Sequence, residues 1–167
     1  MFDDQLIALA TQVLEKAREK GVHLASAESC TGGLIMGCLT EIAGSSDVVD
    51  RGFITYTNRA KMEVLGVPAE VIRDHGAVSE ACARAMAEGA LAASSATITV
   101  AVTGIAGPGG GSAEKPVGLV HFAASLRGGE TCHLEKRFGD IGRGTVRKET
   151  VRTALELYLE LIELVKI

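Results

Sequence analysis

The sequence predicts an α/β fold: a three-layer α/β/α sandwich on a mixed, largely parallel sheet. Three observations lead there. Segments of helical periodicity alternate with short β-branched runs through most of the 167 residues. The run ATITVAVTG, at 96–104, is apolar without alternation, as expected of a strand covered on both faces. Two further strand-like runs meet around Arg127, Gly128 and Gly129, which predicts a hairpin and so an antiparallel portion.

Each element has its own signal. From Asp3 to Lys20, residues Leu6, Leu9, Ala10, Val13, Leu14 and Ala17 recur at helical spacing. Asp3 and Asp4 suit the positive end of that helix, and Gly21 suits its stop. VHLASAES, 22–29, reads as a short buried strand. CTGGLIMGCLTEIAG, 30–44, reads as a helix ending at Gly44, with Gly32 and Gly33 weakening its first turn. Val48 to Tyr56 is rich in β-branched and aromatic residues and reads as a strand. A short helix follows from Asn58 to Leu65, with Asn58 as candidate N-cap, and Pro68 opens another toward His75. Ser79 caps an Ala-rich helix running to about Ser95. After the 96–104 strand comes a Gly-rich loop. Then come the hairpin strands Val117 to Leu126 and Thr131 to Phe138, and a last helix from Gly144 to Val165. Neither a repeat nor a linker divides the chain, so a single domain over 1–167 is expected.

Composition narrows the function. Hydrophobic residues make up 47%, but Trp is absent and aromatics are 4%, so the core must be built from Leu, Ile, Val and Ala. A net charge of −4 argues against a nucleic-acid binder, while a local arginine cluster can still hold a small anion. Cys30, Cys38, Cys82 and Cys132 form no CxxC pair and no Cys/His group with zinc spacing, which predicts free thiols and no metal. The start MFDDQLIALA lacks a signal-like pattern, and no apolar run approaches the ~20 residues of a membrane span. A soluble cytoplasmic protein with no membrane partner is expected. The apolar terminal helix, ending LELYLELIELVKI, suits either the core or a homo-oligomer contact.

In such sheets ligands gather beyond the carboxyl ends of strands. Three loops qualify: Ser29 to Gly33, Tyr56 to Lys61, and Thr103 to Pro116. Ser29 lies where a strand meets a helix, near free N–H groups that can stabilise an oxyanion. Capping the helix is the ordinary job of a Ser or Thr at that place, and on spacing alone it is the stronger reading. Cys30 is a rival nucleophile with no His in a partner motif. Lys61 is a surface charge by default, and serves as a base only if burial lowers its affinity for a proton. The hydroxyl of Thr103 can orient Lys61 or meet substrate. The Gly-rich loop fits neither a P-loop nor G-x-G-x-x-G, since Ser112 stands where the third Gly belongs. Arg143 and Arg147 share a helical face and oppose the helix dipole, which suggests an anion partner or a solvated pair.

Five ordered segments carry a resemblance: AESCTGG at 27–33, GFITYTNRAKMEVLGV at 52–67, HGAVSE at 75–80, VTGIAGPGGGSAEKPVG at 102–118 and FGD at 138–140. Together they resemble the CinA C-terminal domain family, whose stand-alone members include nicotinamide-nucleotide amidases. The resemblance implies hydrolysis of nicotinamide mononucleotide to nicotinate mononucleotide and ammonia by a Ser–Lys pair, with no cofactor. It implies Ser29 as nucleophile, Lys61 as base, and Thr103 and Tyr56 in support. The substrate would lie against Cys30, Thr31, Gly32, Gly33, Gly104, Ala106 and Gly107. Arg147 is the first choice for the phosphate and Arg143 the second, because GDIGRGTVR departs from the common pattern here. A small nucleotide is the implied partner.

Overall fold

A five-stranded sheet forms the centre of the computed structural model, which describes residues 1–166; Ile167, the last residue of the apolar terminal segment, lies outside the described residues. Strands β1 (Leu24–Glu28), β2 (Val49–Ile54), β3 (Ile98–Gly104), β4 (Leu119–Leu126) and β5 (Thr131–Arg137) stand in the order β2-β1-β3-β4-β5. β1 pairs in parallel with β2 and β3, whereas β3–β4 and β4–β5 are antiparallel. β4 alone runs against the other four, so the expected mixed, largely parallel sheet is what forms. Helices α1 (Asp4–Lys20), α2 (Leu34–Thr40) and α6 (Arg143–Leu164) cover one face, and α3 (Asn58–Leu65), α4 (Ala69–His75) and α5 (Glu80–Ala92) the other.

Alternate strand residues feed two different cores. Leu24, Ile98, Val100, Val102, Val120 and Phe122 pack against α1, α2 and α6. On the opposite face Ala27, Ala101 and Ala123 meet Cys82, Ala83, Met86, Ala87 and Ala90. Large residues hold one helix layer away, and small ones let α5 lie close. The apolar end of α6 serves the first core through Leu155, Leu157, Tyr158, Leu161 and Ile162.

Several helix ends follow their local signals. Asp3 caps α1 by accepting from the Leu6 N–H at 2.9 Å, Gly21 ends it at φ 65°, and Ser79 caps α5 at Cys82 N–H, 3.1 Å. Other boundaries shift. Thr57, not Asn58, caps α3, accepting from Ala60 N–H at 3.1 Å. α2 begins at Leu34 rather than Cys30, because Gly32 and Gly33 adopt φ 57° and 102° and break the helix into a tight turn. It ends at Thr40, short of Gly44. β2 stops at Ile54, and β4 starts at Leu119. Among the described residues no helix is long and apolar enough to cross a membrane.

The close packing of α5 has a measurable consequence. A Cβ built on Gly89 would lie 1.9 Å from the Leu65 carbonyl oxygen. Gly→Ala inside a helix ordinarily stabilises by roughly 0.5–1 kcal/mol. Here overlap with backbone should dominate, and Gly89→Ala is expected to destabilise by about 1–3 kcal/mol. A thermal melt reads the sign, and a raised Tm would contradict the packing.

Candidate active site

Three neighbouring strand ends lie level with one another. Glu28 pairs with Ile54 on one side and with Val102 on the other, so Ser29, Thr55 and Thr103 stand in a row. The chain leaves β1 across one face through α2 and leaves β2 across the other through α3 to α5. Such a reversal opens a crevice at the strand ends. The cleft there has a volume of about 270 Å³ and is bordered by Ser29, Lys61, Thr103, Tyr56, Arg143 and the loop 104–110.

Lys61 sits in the second turn of α3 and is 1% exposed. Its Nζ lies 3.0 Å from Ser29 Oγ, 2.9 Å from the Thr55 carbonyl and 3.2 Å from the Tyr56 carbonyl. Among the described residues it joins no ion pair. Burial without a carboxylate partner pushes its pKa below the ordinary 10.5. The surroundings suit the neutral amine: two N–H groups meet the two carbonyls, and the lone pair is left to accept the Ser29 hydroxyl proton. Ser29 itself is 8% exposed. Its own N–H donates to the Val102 carbonyl at 3.1 Å. Among the described residues, no acceptor meets the N–H of Cys30 or Thr31.

The rival nucleophile is disabled by the same burial. The Cys30 thiol is pushed up to about 12, chiefly by desolvation. At neutral pH it is an uncharged thiol.

Other predicted residues divide between the cleft and its scaffold. Cys30, Tyr56, Gly104, Ala106 and Gly107 border the cleft as expected. Thr103 borders it too, but its hydroxyl donates to the Ala77 carbonyl at 2.8 Å and does not orient Lys61. Arg143 reaches the mouth, donating to the Gly107 carbonyl at 2.8 Å and to the Tyr56 hydroxyl at 3.0 Å. Arg147, the first choice for an anion, is used elsewhere: its guanidinium holds the Cys30 and Thr31 carbonyls at 3.0 and 3.1 Å. Thr31, Gly32 and Gly33 also lie off the cleft. The Thr31 hydroxyl and the Gly33 N–H both point to Glu28, and the Gly32 N–H donates to the Ser29 carbonyl.

The sequence reading gives Asn58 only a capping role and assigns none to Glu28. Asn58 borders the cleft, three residues before Lys61 on the same helical face, a spacing that was available as a signal. Glu28 is completely buried and accepts from five donors, one on β1 and four on the turn and α2. It stands as a lone acid in the strand LASAE and as the second residue of AESCTGG. Among the described residues no group of three or more His, Cys, Asp or Glu is arranged to hold a metal.

Known proteins resemble this chain in sequence and in fold. The sequence model of the CinA C-terminal domain matches residues 6–162. A CinA-like protein from Synechococcus is 52% identical over 90% of this chain, and this chain spans 36% of its length. The chain thus spans about a third of the length of several curated relatives that it matches. The nicotinamide-nucleotide amidohydrolase PncC of Escherichia coli K12 is 46% identical, over 93% of this chain and 94% of that one. The crystal structure of the competence/damage inducible protein CihA from Agrobacterium tumefaciens superposes with a TM-score of 0.95 at 57% identity, covering 96% of this chain and 98% of that one.

Thiol chemistry tests the burial argument. Cys30, Cys38 and Cys82 are buried and Cys132 is exposed. Iodoacetamide at pH 8 is expected to label Cys132 alone in the folded protein, read by peptide mass spectrometry. Rapid labelling of Cys30 would show a thiolate in the cleft.

Proposed function

This chain belongs to the CinA C-terminal domain family, and from that premise we propose that it hydrolyses nicotinamide mononucleotide to nicotinate mononucleotide and ammonia. The observation that carries the reading is the buried Lys61 Nζ at 3.0 Å from Ser29 Oγ. The likeness to the E. coli amidohydrolase supports the choice of substrate.

The proposed reaction begins with neutral Lys61 taking the Ser29 proton as Oγ bonds to the carboxamide carbon. The N–H group of Cys30, which borders the cleft, receives the oxyanion. Lys61 then returns its proton to the amide nitrogen, the C–N bond breaks, and ammonia leaves. A water attacks the acyl-enzyme, again losing its proton to Lys61, and that proton restores the Ser29 hydroxyl as the acid departs. No step calls for a metal or cofactor.

The cleft lining supports a nucleotide. Val78, Ile105 and Ala106 offer an apolar wall for the pyridine ring. Tyr56, 59% exposed, stands at the mouth, where its ring can meet the cationic pyridinium face-on. Arg143, held there among the described residues by neutral acceptors, is the group assigned to the 5′-phosphate. The buried free thiols suit a reducing cytoplasm.

Three outcomes are expected from an ammonia-release assay with nicotinamide mononucleotide. Ser29→Ala and Lys61→Ala should each lower kcat by about 10³-fold or more. For the wild type, kcat/KM should rise with pH as Lys61 loses its proton, with a midpoint below 10.5. Arg143→Ala should raise KM about 10- to 100-fold, the scale of one lost charge-assisted bond, with kcat changed far less. Nucleotide binding without ammonia would make the chain a nucleotide-holding module instead, and full activity in Ser29→Ala would remove the mechanism.

A further inference from the structure

The proposed chemistry does not use Glu28, yet its carboxylate is the most heavily bonded side chain beside the cleft. It is 0% exposed. Oε1 accepts from the Thr31 hydroxyl at 2.7 Å, the Gly33 N–H at 3.2 Å and the Ile35 N–H at 2.9 Å. Oε2 accepts from the Ser26 hydroxyl at 2.9 Å and the Met36 N–H at 3.2 Å. Five donors converge on its two oxygens, three on Oε1 and two on Oε2, and a carboxylate is the side chain that offers two acceptor oxygens. α2 receives no cap from its own N-cap residue, Gly33. Glu28 provides the missing acceptor from the end of the preceding strand.

Ser29 is the next residue. Its backbone is fixed on both sides: its N–H by the Val102 carbonyl, and its carbonyl by the Gly32 N–H. Beyond it, Thr31 and Gly33 are drawn back to Glu28, while Arg147 grips the Cys30 and Thr31 carbonyls. The Glu28 main chain reaches the base as well. Its carbonyl accepts from the Thr55 N–H at 2.9 Å, and the Thr55 carbonyl accepts from Lys61 Nζ at 2.9 Å.

We propose that Glu28 is the positioning residue of this site, its carboxylate setting the turn that aims Ser29 and its carbonyl setting the strand end that holds Lys61. The inference rests on the Ser–Lys reading above for the identity of the reacting pair. It adds that the separation of nucleophile and base is governed by a group that touches neither substrate nor reacting atom. Displacements near 1 Å in such a pair cost about 10² in rate.

The test uses Glu28→Gln and, as a milder change, Thr31→Val. Gln keeps the shape but turns one acceptor oxygen into a donor facing the Ser26 hydroxyl or the Met36 N–H. With nicotinamide mononucleotide, Glu28→Gln should lower kcat by about 30- to 100-fold, with KM within about 3-fold and the midpoint of the pH profile unmoved. Thr31→Val should show a smaller fall of the same kind. A fluorophosphonate probe, followed by mass spectrometry of the Ser29 peptide, reads serine reactivity without any amide substrate, and labelling should slow by the same factors. Slowed labelling with no ammonia from the wild type would thus reject the substrate but keep the positioning role. Wild-type kcat and labelling in folded Glu28→Gln would overturn the proposal, even with a lowered Tm. If Glu28→Gln does not fold, unchanged kcat and labelling in Thr31→Val would overturn it.

Discussion

A lysine enclosed with only neutral oxygens for company is the constraint around which this molecule is arranged. Removing an ammonium from water costs several kcal/mol when no opposite charge accompanies it. The protein supplies Lys61 with two carbonyls and one hydroxyl, and the uncharged amine satisfies all three. The same dry environment acts in the opposite sense on a thiol. It lowers the proton affinity of Lys61 and raises that of Cys30. A single physical cause therefore favours the neutral amine of Lys61 and the uncharged thiol of Cys30, and it leaves the Ser29 hydroxyl hydrogen-bonded to that amine.

Holding that lysine dry depends on how the layers pack. Ala27, Ala101 and Ala123 keep the sheet thin under α5, and the first core carries the bulk through Leu24, Ile98 and Phe122. Gly89 lets α5 meet the end of α3 backbone to backbone at Leu65. α3 is thereby held against α5, with Thr57 capping its start and Gly66 turning out of it. The asymmetry between a bulky core and a lean one thus fixes the depth at which Lys61 lies.

Legibility in the sequence followed the range of each interaction. Asp3, Gly21 and Ser79 act within a few residues, and their roles at helix ends could be read directly. Burial of β3 on both faces was likewise written in its unbroken apolar run. The neighbouring residues Thr57 and Asn58 are both capping types, so a local window could not say which would cap and which would face the cleft. Arg143 and Arg147 lie one helical turn apart on a shared face. Their different duties appear only when the turn after β1 is laid beneath the start of α6. The order β2-β1-β3 sets Ser29 between Thr55 and Thr103, and no stretch of sequence contains that order. Recognition of the five motifs supplied the pairing of Ser29 with Lys61, but not the burial that gives it chemistry.

The end of the Gly-rich loop is joined to the approach to α6. The Gly118 N–H donates to the Ile105 carbonyl at 2.8 Å, and the Gly118 carbonyl accepts from Phe138 N–H at 2.9 Å. At that crossing a Cβ on Gly118 would lie 2.2 Å from the Gly139 oxygen, so the two backbones touch with no side chain between them. Gly107, at the front of the loop, in turn holds Arg143. The cleft rim and the arginine at its mouth are thus tied together by hydrogen bonds at Gly118 and Gly107. A displacement of the rim that kept these bonds would carry the Arg143 charge with it.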